Sequence, residues 1–403
     1  MSPRASLGLV FVLAACGGAA SQNGTTTPPS GTATATPSST AAPVSSALAP
    51  APTSSASPPP VARAPATQLA ARGDTTCSRH ADGSVRCWGD NRFNVISNQH
   101  SDLGHSDIRR PQVIPNLPPV AEVGVGEAYA CARLEDGTVR CWGTDDGDLG
   151  LGTPLPPGPP PRTEKPMPVL GLSGVASLSV NGHVCALLGD KSVTCWADYD
   201  RGNGDPRDAG SRAPVVVPGF AGALQIADGG NLSCARLPTQ VKCFSDVSPG
   251  LIPKGKVRAD PFVVAATNVA SIVVGSAGGC AITTTAGVSC WGQVPFVSST
   301  MSLVAARPVA TLRDVVALAM GQDVGCVIVK SGDVLCVDAS MGSKSTGLTK
   351  IAGVSGAVEI AVGESHACAR TSDGNVLCWG DGREGQLGDG SVTSRPNAAP
   401  VVW

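Results

Sequence analysis

His366-Ala367-Cys368-Ala369-Arg370-Thr371-Ser372-Asp373-Gly374-Asn375-Val376-Leu377-Cys378-Trp379-Gly380 reads as a β-hairpin with one cysteine on each arm. An Asp-Gly pair between two alternating runs is a hairpin signal. If Ser372-Asp373-Gly374 forms a three-residue loop with Gly374 in the left-handed region, Thr371 faces Asn375. Counting outward, Cys368 then faces Cys378 at a non-hydrogen-bonded position, where side chains on paired strands approach most closely. That approach is the one a cross-strand disulfide requires.

The same pair recurs along the chain. Cys77 with Cys87, Cys131 with Cys141, Cys185 with Cys195, Cys234 with Cys243, Cys280 with Cys290, Cys326 with Cys336 and Cys368 with Cys378 make seven units. Their first cysteines are separated by 54, 54, 49, 46, 46 and 42 residues, a loose but unbroken period,. Trp88, Trp142, Trp196, Trp291 and Trp379 follow the second cysteine, with Phe244 and Val337 in the fourth and sixth units. The fourth pair is one residue closer than the others, and its turn, Leu237-Pro238-Thr239-Gln240, has no Asp-Gly. A two-residue loop at Pro238-Thr239 again sets Cys234 opposite Cys243, so loop and spacing shorten together. This concerted change favours disulfides over buried free thiols. Zinc is the other rival, and it calls for short cysteine spacings and two converging knuckles, where here nine residues usually separate the partners,.

Further marks surround the last hairpin: Gly363, His366, Asp373-Gly374, Trp379-Gly380 and a Gly385-Gln386-Leu387-Gly388 tail, with a decayed tail at Asp148-Leu149-Gly150. In these features the chain resembles the regulator of chromosome condensation repeat family over about residues 67–403. Units four to six lose most of the tail, and there the likeness rests on hairpin and spacing. The resemblance implies an all-β fold, a seven-bladed β-propeller of four-stranded blades. A ring must protect its first edge. An orphan proline-containing strand, Arg395 to Trp403, follows the last hairpin. It is expected to close the ring by completing, near 398–403, the sheet begun by the N-terminal strand at 67–71.

Cys16 is left over by the pairing. Arg4, the apolar run Leu7 to Val12 and Leu13-Ala14-Ala15-Cys16 resemble the lipobox of a bacterial lipoprotein signal peptide, in which the cysteine is acylated,. The run is too short for a retained membrane-spanning helix. Gly17 at the following position goes, in that family, with sorting to the outer membrane. Residues 1–16 are therefore expected to be a signal peptide, 17–66 a disordered tether of Ala, Ser, Thr and Pro, and 67–403 the propeller. An oxidising compartment suits the many cysteines. Cell envelope, as an outer-membrane lipoprotein, is the expected location, with membrane contact through the N-terminal lipid alone.

The 403 residues are 42% hydrophobic and 15% charged, with formal net charge −2, which gives no electrostatic footprint for nucleic acid,. No Gly-x-Ser-x-Gly, His-Glu-x-x-His or phosphate loop is present,. Among the histidines, His183 and His366 share one repeat position, two before the first cysteine, which points to a structural role; His80, His100 and His105 complete the set. The acidic loops Asp145-Asp146-Gly147-Asp148 and Asp198, Asp200, Asp205, Asp208 lack the spacing and closing glutamate of an EF-hand,. They read as solvated turns, and Arg72-Gly73-Asp74 as a chance tripeptide. No catalytic residue, metal site or cofactor is expected.

Irregularity lies in the segments after each Cys-Trp-Gly. Asp90–Arg110, Thr144–Pro168 and Ala197–Arg212 are long, whereas Val337–Lys350 is short. Variable loops on a rigid repeat are where binding resides. The expected function is a protein- or polysaccharide-binding scaffold with recognition on the loops of blades one to three. A secreted bacterial propeller with similar repeats inhibits β-lactamase, so an enzyme inhibitor is one alternative. A carbohydrate-active enzyme, which would need paired acids at the ring's mouth, is another.

Overall fold

Each hairpin is set by its turn. In the computed structural model Gly374 takes φ +79°, its N–H donates to the Thr371 carbonyl (2.9 Å), and Thr371 N–H donates to Asn375 (3.0 Å). The register then runs Arg370↔Val376, Ala369↔Leu377, Cys368↔Cys378. Lys191 and Ala286 adopt the left-handed position in blades three and five, at φ 68° and 61°. In blade four Leu237 N–H donates to Gln240 at 2.8 Å, which closes a two-residue loop and leaves Cys234 opposite Cys243. The described residues are 63–96, 107–145, 147–152, 160–197, 213–245, 261–297, 301–322, 324–338 and 347–403.

All seven cysteine pairs are bonded as the hairpin register requires. Cys77 is joined to Cys87, Cys131 to Cys141, Cys185 to Cys195 and Cys234 to Cys243. Cys280 is joined to Cys290, Cys326 to Cys336 and Cys368 to Cys378. Their Cα–Cα distances are 4.0–4.1 Å, the close approach of directly opposed strand residues,. Cys87, Cys141, Cys195 and Cys290 are completely buried, so these bridges belong to the core rather than to the surface.

The strands form seven four-stranded antiparallel sheets, each built from strands consecutive in sequence. They span residues 66–113, 120–168, 175–216, 225–264, 269–308, 315–350 and 357–400. The first strand of every blade touches the first strand of the next, and Ala357–Val362 of blade seven touches Ala66–Arg72 of blade one. These inner strands therefore close a circle. Seven hydrophobic clusters fill the seven junctions, and the bridging cysteines lie within them. Blade faces are thus the core, as sheet stacking around an axis demands. Outer strands are short in blades three to six, down to two residues at Val215–Val216, Arg307–Pro308 and Thr349–Lys350. Short, proline-bearing edges resist pairing with other chains.

Ring closure differs from the expected strand completion. Ala66–Arg72 is the inner strand of blade one, whose outer strand is Ile108–Val113. Arg395–Pro400 is the outer strand of blade seven, with Leu377↔Pro400 and Cys378↔Ala399 in register. The proline-containing strands belong to the hairpin before them rather than the one after, so no strand is left over to exchange. Side chains and the tail close the seam instead. Val401 is buried in the last junction, and the Trp403 ring meets His80 (5.1 Å) and Trp88 (5.8 Å) edge-on, with the Arg63 guanidinium 3.8 Å above it.

Candidate interaction rim

Because strands alternate in direction, the turns between first and second strands and the loops between third and fourth emerge on one rim, the loop rim. The disulfide hairpins and the links between blades occupy the other, the hairpin rim.

Near the axis the loop rim is walled by backbone. A Cβ on Gly321 would lie 2.1 Å from the Gly363 carbonyl oxygen, and one on Gly363 2.5 Å from that of Gly73. Successive turns touch with no room for side chains. Arg72-Gly73-Asp74 is one of these turns, and all three residues are half-buried.

Around this collar the position two before the first cysteine braces the next blade. Tyr129 hydroxyl donates to Asn181 O (2.9 Å). His366 Nε2 lies 2.6 Å from Thr76 Oγ1, across the seam. Burial pushes the His366 imidazole down to about 4, which keeps it neutral; the charge of Asp381 opposes this more weakly,. His183 Nδ1 pairs with Asp228 at 3.0 Å, and Asp228 also accepts the Ser233 hydroxyl and the His183 N–H. Histidine, aspartate and serine meet here, but all three are buried and the serine donates to the aspartate rather than to the far ring nitrogen. The trio is a brace, not a nucleophile and its base. His80 is likewise held, between Ala64 O and Ser78 Oγ.

A second brace was not read from the sequence. Gln68 donates to Val123 O (3.0 Å) and accepts from Val123 N (2.9 Å), and Gln225 does the same to Ile272. Glu122 and Glu359 accept the N–H of Leu178 and Leu69. Each carboxylate also pairs with an arginine of its own blade, Glu122 with Arg133 (3.1 Å) and Glu359 with Arg370 (2.6 Å). Burial raises Glu122, against the pull of Arg133 and the Leu178 N–H. The signal was available: Gln or Glu stands nine residues before the first cysteine in four units, each with arginine two after it, at Arg79, Arg133, Arg236 and Arg370.

Among the described residues, the bases of the outer loops of blades seven, one, two and five are plugs. Trp88 Nε1–H donates to Gln386 O (2.9 Å) in the loop of blade seven, and Trp142 Nε1–H to Val95 O (2.7 Å) in the loop of blade one. Leu387, Val95, Ile96 and Leu149 are buried in this way. A Cβ on Gly388 or Gly150 would come within 2.8 or 2.9 Å of the Trp88 or Trp196 indole nitrogen. Where blade six has Val337 for tryptophan, Phe296 of blade five fills the space and meets Gly325. Of the long loops, residues 97–106, 153–159 and 198–212 lie outside the described residues, as do His100, His105, Asp146 and Asp198 to Asp208. Cys16, the expected signal peptide and most of the expected tether lie outside them too.

Carboxylates gather on the loop rim where blade seven meets blade one. Burial raises Asp74, and the charges of Glu364, Asp381, Asp90 and Glu384 add to it. Hydrogen bonding from Arg383 holds Asp381 down to about 2. These acids fasten turns: Asp90 accepts from Arg92 (2.6 Å), Asp381 from Arg383 and Ser394, Asp74 from Gln386 Nε2 (3.1 Å). Asp145 accepts from Gly147 N–H (2.9 Å). Among the described residues no three histidine, cysteine, aspartate or glutamate side chains are placed to hold a metal ion. No helix among them is long and apolar enough to cross a membrane.

Residues 357–386 match the regulator of chromosome condensation (RCC1) repeat. Several solved structures share the fold. Yeast RCC1 (Prp20), solved bound to Kap60, is 19% identical over 78% of this chain and 83% of its own, with TM-score 0.64. Prp20p of Saccharomyces cerevisiae, described with its binding properties to Gsp1p and histones, is 19% identical over 79% and 86%, with TM-score 0.66. Human WBSCR16 is 16% identical over 79% and 95%, also with TM-score 0.66. With that repeat in its last blade and a ring that shares the fold of these structures, the chain is similar to regulator of chromosome condensation repeat proteins.

Proposed function

We propose that the protein is a lipid-anchored, non-enzymatic binding scaffold of the cell envelope. Cys16 carries the lipid, residues 17–65 form the tether, and the loop rim of blades one to three takes a protein or polysaccharide partner. One observation carries this reading. The chain enters the ring on the hairpin rim, where Ala66 N–H donates to Gly374 O of the last hairpin, whereas every outer loop leaves on the opposite rim. An anchor on Cys16 therefore pulls on one face and leaves the other free to engage a partner. Seven disulfides fit an oxidising compartment,. Prp20p, with a similar fold, is described with binding to Gsp1p and histones, which supports a protein partner for this ring.

Two experiments test it. Cys16→Ser moves the protein from the membrane pellet to the soluble fraction; retention in the pellet defeats the anchor. Replacing residues 97–106 and 153–159 by short Gly-Ser turns abolishes partner capture from envelope extracts at unchanged melting temperature. Capture that persists defeats the assignment of the loops.

A further inference from the structure

Two arginines meet at the seam on the hairpin rim with no acid between them. Arg63 leads into the first strand, and Arg86 is the second residue of the third strand of blade one, just past its hairpin turn. Arg63 is held in place. Its guanidinium lies 3.8 Å above the Trp403 ring, His80 Nδ1–H donates to Ala64 O (2.7 Å), and Ala81 N–H donates to Pro65 O (3.0 Å). His80 Nε2 accepts the Ser78 hydroxyl (3.0 Å), so both nitrogens of that ring are occupied. Yet Arg63 Nη1 and Arg86 Nε are buried without an acceptor, and neither side chain forms an ion pair among the described residues. Burial lowers the Arg63 guanidinium, and the charge of Arg86 lowers it further. The half-buried Arg133 and Arg370 instead have carboxylates beside them, Glu122 and Glu359. Asp82, in the adjacent hairpin turn, is taken up by Ser84 N–H and the Ser84 hydroxyl (3.0 and 2.7 Å). The undescribed residues do not supply the missing acid. Residues 1–62 contain no aspartate or glutamate, and every other undescribed stretch falls in a connection that leaves on the loop rim, at the opposite end of the blades.

We propose that Arg63 and Arg86 form a binding site for a phosphate group, with Arg63 Nη1–H and Arg86 Nε–H donating to its oxygens. Two like charges taken partly out of water are unfavourable until an anion bridges them, and the planar guanidinium fork fits phosphate oxygens. A phosphate monoester carries a charge of about −1.5 to −2 at neutral pH, which matches two cations better than one carboxylate does. The Trp403 ring fixes Arg63 beforehand, so binding does not have to order that side chain,. No residue of the loop rim takes part, and the site stands or falls independently of the function proposed above.

The probes are inorganic phosphate, titrated into the full chain by calorimetry at neutral pH and constant ionic strength, and vesicles of phosphatidic acid, whose headgroup is a phosphate monoester, compared with vesicles of phosphatidylcholine. Saturable binding is expected. Binding of inorganic phosphate alone assigns the site to a soluble phosphate, and binding of phosphatidic acid vesicles assigns it to a lipid headgroup; either supports the proposal. Arg86→Met keeps the apolar stem and removes the charge, and it should weaken binding about tenfold through the lost charge-assisted bond. Arg86→Glu sets a carboxylate beside Arg63 and should abolish binding. A second readout separates a ligand site from a structural pair. Without phosphate, Arg86→Met should raise the melting temperature by relieving the repulsion, and in saturating phosphate the order of the two proteins should reverse. No saturation with either probe, binding that survives Arg86→Glu, or a melting temperature that Arg86→Met lowers without phosphate overturns the proposal.

Discussion

Replacing Trp403 by alanine tests how the ring is closed. No strand crosses between the first and last blades, so the seam depends on contacts that this residue shares with both. Its indole loses two edge-on aromatic contacts, to His80 and Trp88, worth about 0.5–1.5 kcal/mol each,. It also loses the cation–π contact with Arg63, about 0.5–1 kcal/mol,. Since the ring is only half-buried, the full penalty for deleting a core tryptophan does not apply,. A cost of about 2–4 kcal/mol follows. For a ring of this size the unfolding entropy is about 0.7 kcal/mol/K, so the melting temperature should fall by roughly 3–6 °C. Calorimetry reads that fall, and hydrogen exchange reads its location. Amides of the two inner strands at the seam, Ala66–Arg72 and Ala357–Val362, should lose protection before those of the other blades. A shift below about 1 °C, or loss of protection spread evenly over seven blades, refutes closure by the tail.

Other perturbations follow from the same contacts. His366 titrates at about 4 in the ring and near 6.5 when exposed, so the unfolded chain binds the proton more readily. Stability is then full above about pH 6.5 and falls by on the order of 3 kcal/mol as the pH drops to 4; His366→Asn should flatten urea midpoints over that window. Gln68→Ala removes both bonds to Val123 and should cost about 1–2 kcal/mol in urea unfolding, with Gln68→Glu recovering the bond from Val123 N–H alone,. Gly374→Ala would place a Cβ 2.4 Å from that of Pro65 at a positive φ, and a loss on the order of 2 kcal/mol is expected by thermal melting,.

Hairpins were legible because their chemistry is local. Asp373-Gly374 fixes the turn, the turn fixes the register, and the register brings Cys368 to Cys378 within ten residues of sequence. The shorter turn at Pro238-Thr239 moved the cysteine with it, so the rule held where its wording changed. Closure was misread because it is a question of ownership. A proline strand between two hairpins pairs equally well on paper with either, and only the order of strands within a sheet shows that Arg395–Pro400 belongs to the hairpin before it. The glutamine and glutamate braces escaped for another reason. They bind the backbone of a neighbouring blade some 47 to 56 residues away, or 290 across the seam, so no local pattern demands them. Their trace was a correlation between two repeat positions, visible only when the units are superposed.

The loops of blades one and two each carry a buried base beside the tip proposed for recognition, and this bears on how binding can be tested. Val95 and Ile96 are buried on the Trp142 side of the first junction, and Leu149 on the Trp196 side of the second. Each behaves as core, and truncating one such side chain costs about 2–5 kcal/mol. A deletion that starts directly after Trp88-Gly89 or Trp142-Gly143 would strip the plug together with the tip. Loss of a partner would then report a loosened junction and say nothing about recognition. Cuts confined to 97–106 and 153–159 leave Trp142 Nε1 bonded to Val95 and Leu149 in place. Only with those cuts does unchanged melting with lost capture assign recognition to the tips, and a melting temperature that falls with them would instead extend the plug outward.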